Sequence, residues 1–434
     1  MSSHRPSRSS RSGGGEPVRH GKLRSKRPWA TVAKFVVAIV AVTGVGGASI
    51  VAIAAWDVAR SVKPGIHLEH VPGAAGATGK AVTAIDGEVN LLLTGTDTRT
   101  GQGGAFESKD ELAGSSGVGN NDLTMLLHIS ADHSNATVVS FPRDMVIPIP
   151  SCTRPDGKTT PASKAAMMNT TLIRGDLSCT VRTVETLTGV HIPFAAKVTL
   201  DGVIAMSNAI GGVTVCLATP VVERYTIPPL NLAAGPQTLE GAEALSFLRS
   251  RHGVGDGSDL GRISNQQVFL SALVRKVKSA GVLGNPLALY PLAKAAVTNM
   301  QFSDTLTDPT SLVKIGLALK SIDLNHLVFV QYPTVPNPRD QNRVIPDSLG
   351  AAAVNLALRT DQPVQLTGKP GEAAVLDPNS PSASPSPTFA PSDSPSADAS
   401  ASPSPSTPAT VTLPPTVTGQ TAADQTCTKG NNRR

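Results

Sequence analysis

From Phe35 to Ala55 the chain runs for 21 residues without a charged side chain. As a helix rising about 1.5 Å per residue, such a stretch spans about 31 Å, close to the hydrocarbon thickness of a bilayer. Trp29 and Trp56, the only two tryptophans, bracket it where an interfacial aromatic belt lies. Residues 1–34 carry nine Lys or Arg against the single acid Glu16. That asymmetry predicts a cytoplasmic basic arm over 1–34, one transmembrane helix over 35–55, and everything from Asp57 onward outside the cell membrane. Ala52-Ile53-Ala54 is only a weak small-x-small exit, so the reading is an uncleaved signal-anchor in contact with the lipid membrane. The formal net charge of the whole chain is +6 and the arm alone carries +8, so the remainder nets −2. With aromatics at 3 %, the body lacks both the charge and the stacking surface of a nucleic-acid binder, and none is expected as a partner.

Beyond the span, residues 57–87 read as a Gly/Ala-rich stalk without periodicity. Residues 88–368 alternate short apolar runs with amphipathic stretches. Val89–Thr94, Leu123–Ile129, Ala136–Phe141, Ala196–Leu200, Val213–Leu217 and His326–Tyr332 read as strands. Helices are expected at Val181–Thr188, Leu200–Ile210, Leu239–Ser250, Asp259–Ala280, Asn285–Asn299, Pro309–Ser321 and Leu349–Leu358. Strands mixed with covering helices in one stretch predict a single layered α/β domain. Residues 369–434 turn Pro/Ser-rich and read as a disordered tail.

Two constellations carry chemistry. Asp97 follows the first strand, Asp122 precedes the second, and Arg143 follows the third. Strands running up, down and up bring all three to one sheet edge. Two carboxylates and an Arg there suit a divalent cation holding a phosphate, and equally a structural Asp–Arg pair. The second constellation is Arg249-Ser-Arg251-His252, a Gly-rich turn to Ser258-Asp259, then Arg262 and Gln266 on the next helix. Three arginines beside a Gly-rich helix start make an anion site, or a salt-bridged surface.

In chain order, Asn90-Leu-Leu-Leu-Thr-Gly-Thr-Asp97-Thr-Arg99, Asn121-Asp122-Leu-Thr-Met, Ser140-Phe-Pro-Arg143-Asp144, Ala209-Ile-Gly-Gly-Val213, Leu239-Glu-Gly-Ala-Glu-Ala-Leu245, Arg249-Ser-Arg251 and Asp259-Leu-Gly-Arg262-Ile-Ser-Asn-Gln266-Gln267 resemble the LytR-CpsA-Psr family of cell-wall glycopolymer transferases, actinobacterial branch. The resemblance implies a three-layer α/β/α domain with a central mixed sheet and a deep apolar pocket for a polyprenyl chain. It implies Mg²⁺-dependent transfer of a glycopolymer from polyprenyl pyrophosphate onto peptidoglycan, with a pyrophosphatase side reaction. By motif, Asp97 and Asp122 would hold Mg²⁺. Arg143, Arg249, Arg251, Arg262 and Gln266 would bind pyrophosphate, and Arg99 and Asp259 would orient them. A non-catalytic binder of lipid-linked polymer and a membrane-bound transcriptional attenuator are the alternatives. Two departures stand out: Asn265 replaces an Arg common before the paired Gln, and Met167 stands where a Lys is common, with Lys164 three residues earlier.

Four cysteines lie beyond the anchor, in an oxidising compartment. A Cys152–Cys179 bridge would clamp the base of a polar excursion, stabilising by about 3–4 kcal/mol on the chain-entropy model. Cys216 and Cys427 pair, or remain a buried thiol and a tail cysteine.

Overall fold

The computed structural model describes residues 53–54, 56–72, 87–100, 102, 112, 115, 117–279, 286–377 and 410–431. The predicted arm and nearly all of the predicted span lie outside these, as does the centre of the Pro/Ser segment. No helix among the described residues is long and apolar enough to cross a membrane.

Seven strands build the main sheet. β1 (Val89–Thr96), β2 (Asn121–Ile129) and β3 (Ala136–Phe141) form its antiparallel centre. β4 (Phe194–Val198) lies parallel to β1, and β7 (Met300–Phe302) closes that side antiparallel. On the other side β8 (Leu327–Gln331) runs parallel to β3, and β10 (Gly419–Thr421) pairs antiparallel with β8. The order is therefore β7-β4-β1-β2-β3-β8-β10, a mixed sheet. A smaller sheet joins β6 (Gly235–Leu239), β5 (Val213–Leu217), β11 (Thr426–Thr428) and β9 (Ala374–Leu376) in that order.

Both faces of the main sheet are covered, so its strands are apolar on both sides rather than alternating. Leu92, Leu126 and Val139 pack against α1 (Thr171–Thr188) and α7 (Ser348–Arg359), through Val181, Val184, Val354 and Leu358. Val89, Ile129, Ala196 and Phe329 pack against α5 (Pro286–Asn299) and α6 (Pro309–Ser321), through Val297, Ile315 and Ala318. The three layers are helices, mixed sheet, helices. α2 (Leu200–Ala209), α3 (Gly241–Arg249) and α4 (Asp259–Ser279) complete the set used below.

Two sequence expectations are corrected. The stalk reading of 57–87 fails for residues 57–72: Val58 and Leu68 are buried in the two cores, and Ile66 exchanges backbone hydrogen bonds with Phe302 and Asp304. Isolated apolar residues in a Gly/Ala-rich stretch give no periodicity, yet Val58, Ile66 and Leu68 each pack into or against a core cluster. The disordered-tail reading of 369–434 fails for residues 369–377 and 410–431. They supply β9, β10 and β11, and β11 lies parallel to β5. Disulfides Cys152–Cys179 and Cys216–Cys427 are both formed, with Cα separations of 5.4 and 4.4 Å. The second ties β5 to β11, supplying order that the Pro/Ser composition conceals.

Candidate active site

The antiparallel register Thr96↔Asn121 and Thr124↔Phe141 brings the end of β1, the start of β2 and the end of β3 to one sheet edge. Asp97, Asp122 and Arg143 meet there. Asp97 is held by Asn120, whose backbone N–H donates to Oδ1 at 2.5 Å and whose side-chain amide donates to Oδ2 at 2.9 Å. The close approach depends on Gly119 at φ +79, where a Cβ would stand 2.8 Å from Asp97 Oδ1. Arg143 Nη1 donates to Asp122 Oδ1 at 2.6 Å.

The Arg-rich turn closes on the same edge. Ser258 caps α4, its Oγ accepting from the Gly261 N–H at 3.2 Å. Asp259 is thereby free to face inward, 6 % exposed. Its Oδ2 accepts the Arg143 backbone N–H at 3.2 Å, and its Oδ1 lies 2.6 Å from Arg262 Nη2. Arg262 also donates to the Asp122 carbonyl at 3.0 Å. Arg251 lies 3.7 Å from Asp144, which faces Arg143 at 3.9 Å and Arg343 at 3.5 Å. Arg249, at the end of α3, has no hydrogen-bond or ion-pair partner among the described residues. The buried Nε atoms of Arg143, Arg251 and Arg262 likewise make no hydrogen bond.

Charge balance is uneven around these cations. Burial alone would lower the Arg143 guanidinium, but the carboxylates of Asp122, Asp259 and Asp144 outweigh it and raise its pKa. Burial lowers Arg249, helped by Arg99 and Arg262 and only partly offset by Asp122 and Asp97. Burial also lowers Arg251, with Arg143 adding repulsion. An excess of half-buried, under-neutralised guanidinium with unused donors is an environment that suits an anion.

Two cavities meet at Asp122. One, of about 730 Å³, is polar and lined by Asp97, Asp122, Arg143, Asp144, Arg251 and Arg343 among others. The second, of about 460 Å³, is lined by Asp122, Arg249, Arg262 and Gln266 at one end and by apolar side chains such as Val203, Leu248, Leu270, Val274 and Leu319 elsewhere.

Asp97, Asp122, Arg143, Arg249, Arg251, Asp259, Arg262 and Gln266 therefore all border this junction. Arg99 lines neither cavity; its backbone N–H donates to Ser115 Oγ at 3.1 Å and its charge acts on Arg249. Gln266 reaches the apolar cavity but commits its amide to the Leu248 carbonyl at 2.9 Å, tying α4 to the end of α3. Asn265 is fully buried. Its amide donates to the Phe247 carbonyl at 2.7 Å and its Oδ1 accepts from Thr428 at 2.8 Å, so the departure from Arg makes room for β11. Lys164 is exposed on the strand Ser163–Met167, and no lysine lines the polar cavity among the described residues.

Three residues escape sequence reasoning. Arg343 comes from the hairpin Thr334–Asn337 and Asp340–Pro346, far along the chain. Asp144 was visible only as a neighbour of Arg143. Glu223, 1 % exposed, organises the turn that carries Arg251. Its Oε2 accepts from Ser250 Oγ and the N–H groups of Arg251 and Gly253, each at 3.0 Å, and its Oε1 accepts from the Tyr225 N–H at 3.1 Å.

The model of the LytR_cpsA_psr family matches residues 67–354, the stretch that carries these acids and arginines, and the chain belongs to that family. Cell wall biosynthesis protein LcpA of Corynebacterium glutamicum is 31 % identical over 269 residues, covering 58 % of this chain and 51 % of the relative. The polyisoprenyl-teichoic acid–peptidoglycan teichoic acid transferase TagT of Bacillus subtilis is 26 % identical over 247 residues, 56 % of this chain and 68 % of that protein. The chain thus spans about half the length of LcpA. The crystal structure of protein gbs0355 from Streptococcus agalactiae shares the fold, with a TM-score of 0.51 at 21 % identity, covering 63 % of this chain and 88 % of that one.

Proposed function

We propose that this protein is a membrane-anchored phosphotransferase of cell-wall assembly. It takes a glycopolymer from a polyprenyl-pyrophosphate carrier and joins it to a hydroxyl of peptidoglycan. The observation that carries the reading is the junction at Asp122 of an apolar cavity and an arginine-rich polar one. An amphiphile with a long apolar tail, a diphosphate and a sugar chain has that same division. The tail would lie between Val203, Leu270 and Val274, the diphosphate at Arg249, Arg262, Arg251 and Arg143, and the sugar beyond, toward Arg343. The names of TagT and its relatives agree with this substrate class. The span over 35–55 would hold the domain outside the membrane, beside the carrier lipid.

The donor set fits Mg²⁺. Asp97 offers two carboxylate oxygens already oriented by Asn120, and Asp122 keeps Oδ2 beyond its contact with Arg143. Among the described residues the polar cavity is lined, besides its arginines, by oxygen donors and by no imidazole or thiolate, which suits a hard cation that prefers oxygen ligands. When bound, the ion would supply charge neutralisation at the diphosphate. The residues of this chain do the rest by position. Arg249 and Arg251 neutralise the diphosphate, Asp259 holds Arg143 and Arg262 in orientation, and the apolar wall strengthens each contact. The acceptor oxygen bonds to the sugar-bearing phosphorus, the bond from that phosphorus to the bridging oxygen breaks, and the prenyl phosphate departs with the proton.

The test is incubation of the full chain in detergent with a polyprenyl-pyrophosphate oligosaccharide, Mg²⁺ and peptidoglycan. Covalent sugar phosphate on the glycan is expected. Tight binding of the lipid without any covalent product would leave a carrier-binding protein instead.

A further inference from the structure

We propose that His70, Glu185 and His191 form a site for a zinc-class divalent transition metal, one that fastens the segment entering the domain to α1. The site is separate from the transfer centre and rests on none of the residues assigned to it. Glu185 lies in the last turn of α1, His191 follows the helix end, and His70 comes from the segment 66–72. His191 precedes β4, which runs parallel to β1, so the cluster lies at the sheet edge opposite to Asp97.

The three ligand atoms lie within 4.8 Å of one another. His70 Nδ1 is 2.8 Å from Glu185 Oε1, and His191 Nδ1 is 3.2 Å from the same oxygen. The two rings meet edge to face with centroids 4.4 Å apart. Glu185 Oε1 also accepts the Ile192 N–H at 2.9 Å, while Oε2 accepts the Val71 N–H at 2.8 Å.

One oxygen is oversubscribed. A carboxylate oxygen has two good lone-pair directions, yet two imidazole nitrogens and a backbone N–H all point at Oε1. The geometry satisfies two of the three: His191 Nδ1 is buried and makes no hydrogen bond. If that nitrogen is unprotonated, its lone pair faces the oxygen's lone pair. If it is protonated, its proton has no acceptor direction left. A divalent ion between the three atoms removes the conflict, since it takes the Nδ1 lone pair of each ring and leaves each proton on Nε2.

The donor set selects the metal. Two imidazoles and one carboxylate are the ligands of an open tetrahedral zinc site, with water in the fourth position, and favour Zn²⁺, Co²⁺ or Ni²⁺ over Mg²⁺. The side chains of His70 and His191 are 30 % and 19 % exposed, which leaves an entry path and room for that water. The bound ion would add a cross-link between residue 70 and α1 to the contacts already there, Glu69 with Arg182 at 2.9 Å and the Glu69 N–H with Ser178 Oγ at 2.9 Å.

The test uses the full-length protein in detergent, with any affinity tag removed and metal stripped by chelator. Co²⁺ titration should produce the visible absorption of a tetrahedral nitrogen–oxygen site, saturating near one equivalent and displaced by Zn²⁺. Zn²⁺ should also slow hydrogen exchange across 66–72. His70→Ala and His191→Ala should each weaken binding by at least the roughly 10- to 100-fold that even outer partners of a metal are worth. Asp97→Ala should leave the cobalt spectrum unchanged. Absence of the visible band at saturating Co²⁺, or unchanged stoichiometric binding in the His70→Ala/His191→Ala double variant, overturns the proposal; neither result bears on polymer transfer.

Discussion

Replacing Glu223 by Gln tests whether a buried carboxylate positions the Arg251 turn. The wild-type carboxylate accepts four hydrogen bonds, three of them on Oε2. Gln can place its carbonyl oxygen where Oε2 stands and keep those three, now without charge assistance. Its NH₂ then faces the Tyr225 N–H, donor against donor, in a site only 1 % exposed. One unsatisfied buried pair costs about 1–3 kcal/mol, and loss of charge assistance adds about 1 kcal/mol more, so about 2–4 kcal/mol in all. For roughly 300 ordered residues the unfolding entropy is about 0.6 kcal/mol/K, which makes this a fall in Tm of about 3–6 °C. The acid side carries a second signature. Burial raises the Glu223 carboxyl, but its hydrogen bonds prevail and hold its pKa below the ordinary glutamate value of 4.5. Its contribution is therefore present above the unfolded pKa and lost as pH falls through the depressed folded value. Glu223→Gln should lie closest to wild type at low pH, diverge as pH rises toward 4.5, and differ by a constant amount above it. Thermal unfolding from pH 3 to 7, with calorimetric titration of a short prenyl pyrophosphate at pH 7, measures both. A Tm within a degree of wild type, with unchanged pyrophosphate affinity, would refute the reasoning.

Asp97→Ala and Asp122→Ala should each abolish transfer and its Mg²⁺ dependence while circular dichroism remains native; full activity in either removes the metal assignment. Arg249→Ala should weaken pyrophosphate binding by about 1.5–3 kcal/mol, the range for a hydrogen bond to a charged group, with little change in Tm because Arg249 has no partner among the described residues to lose. Val274→Trp should fill part of the 460 Å³ apolar cavity and raise KM for long-chain carriers more than for short ones; equal effects on both would place the tail elsewhere.

The active edge was legible because it is local. Asp97, Asp122 and Arg143 each sit within two residues of a strand end, so alternating strand direction alone gathers them. Helix limits were legible for a similar reason: Pro309–Ser321 begins at Asp308, whose carboxylate caps the Thr310 N–H at 2.9 Å. Asp144, Glu223 and Arg343 were hidden because their partners lie across the fold. Glu223 works on residues 250–253, and Arg343 reaches Asp144 from a hairpin near residue 340. The C-terminal strands were hidden by brevity. Gly419–Thr421 and Thr426–Thr428 are three residues each, too short to show any alternation, and they follow a Pro/Ser run that reads as solvated.

That return of the chain has a covalent consequence. β9 ends at Leu376 and β11 pairs with it from Thr426 to Thr428, so residues 378–409 span two points already fixed in one sheet. Lengthening such an insertion costs only about 0.6 kcal/mol per doubling. A protease cutting anywhere between 378 and 409 would release nothing. The C-terminal fragment would remain joined through Cys216–Cys427, with Gly255 still donating to the Lys429 carbonyl and Asn431 to the Gly253 carbonyl. The nicked protein would run as one species on a non-reducing gel and as two after reduction, and its Arg251 turn would keep its backing strand until the disulfide is opened.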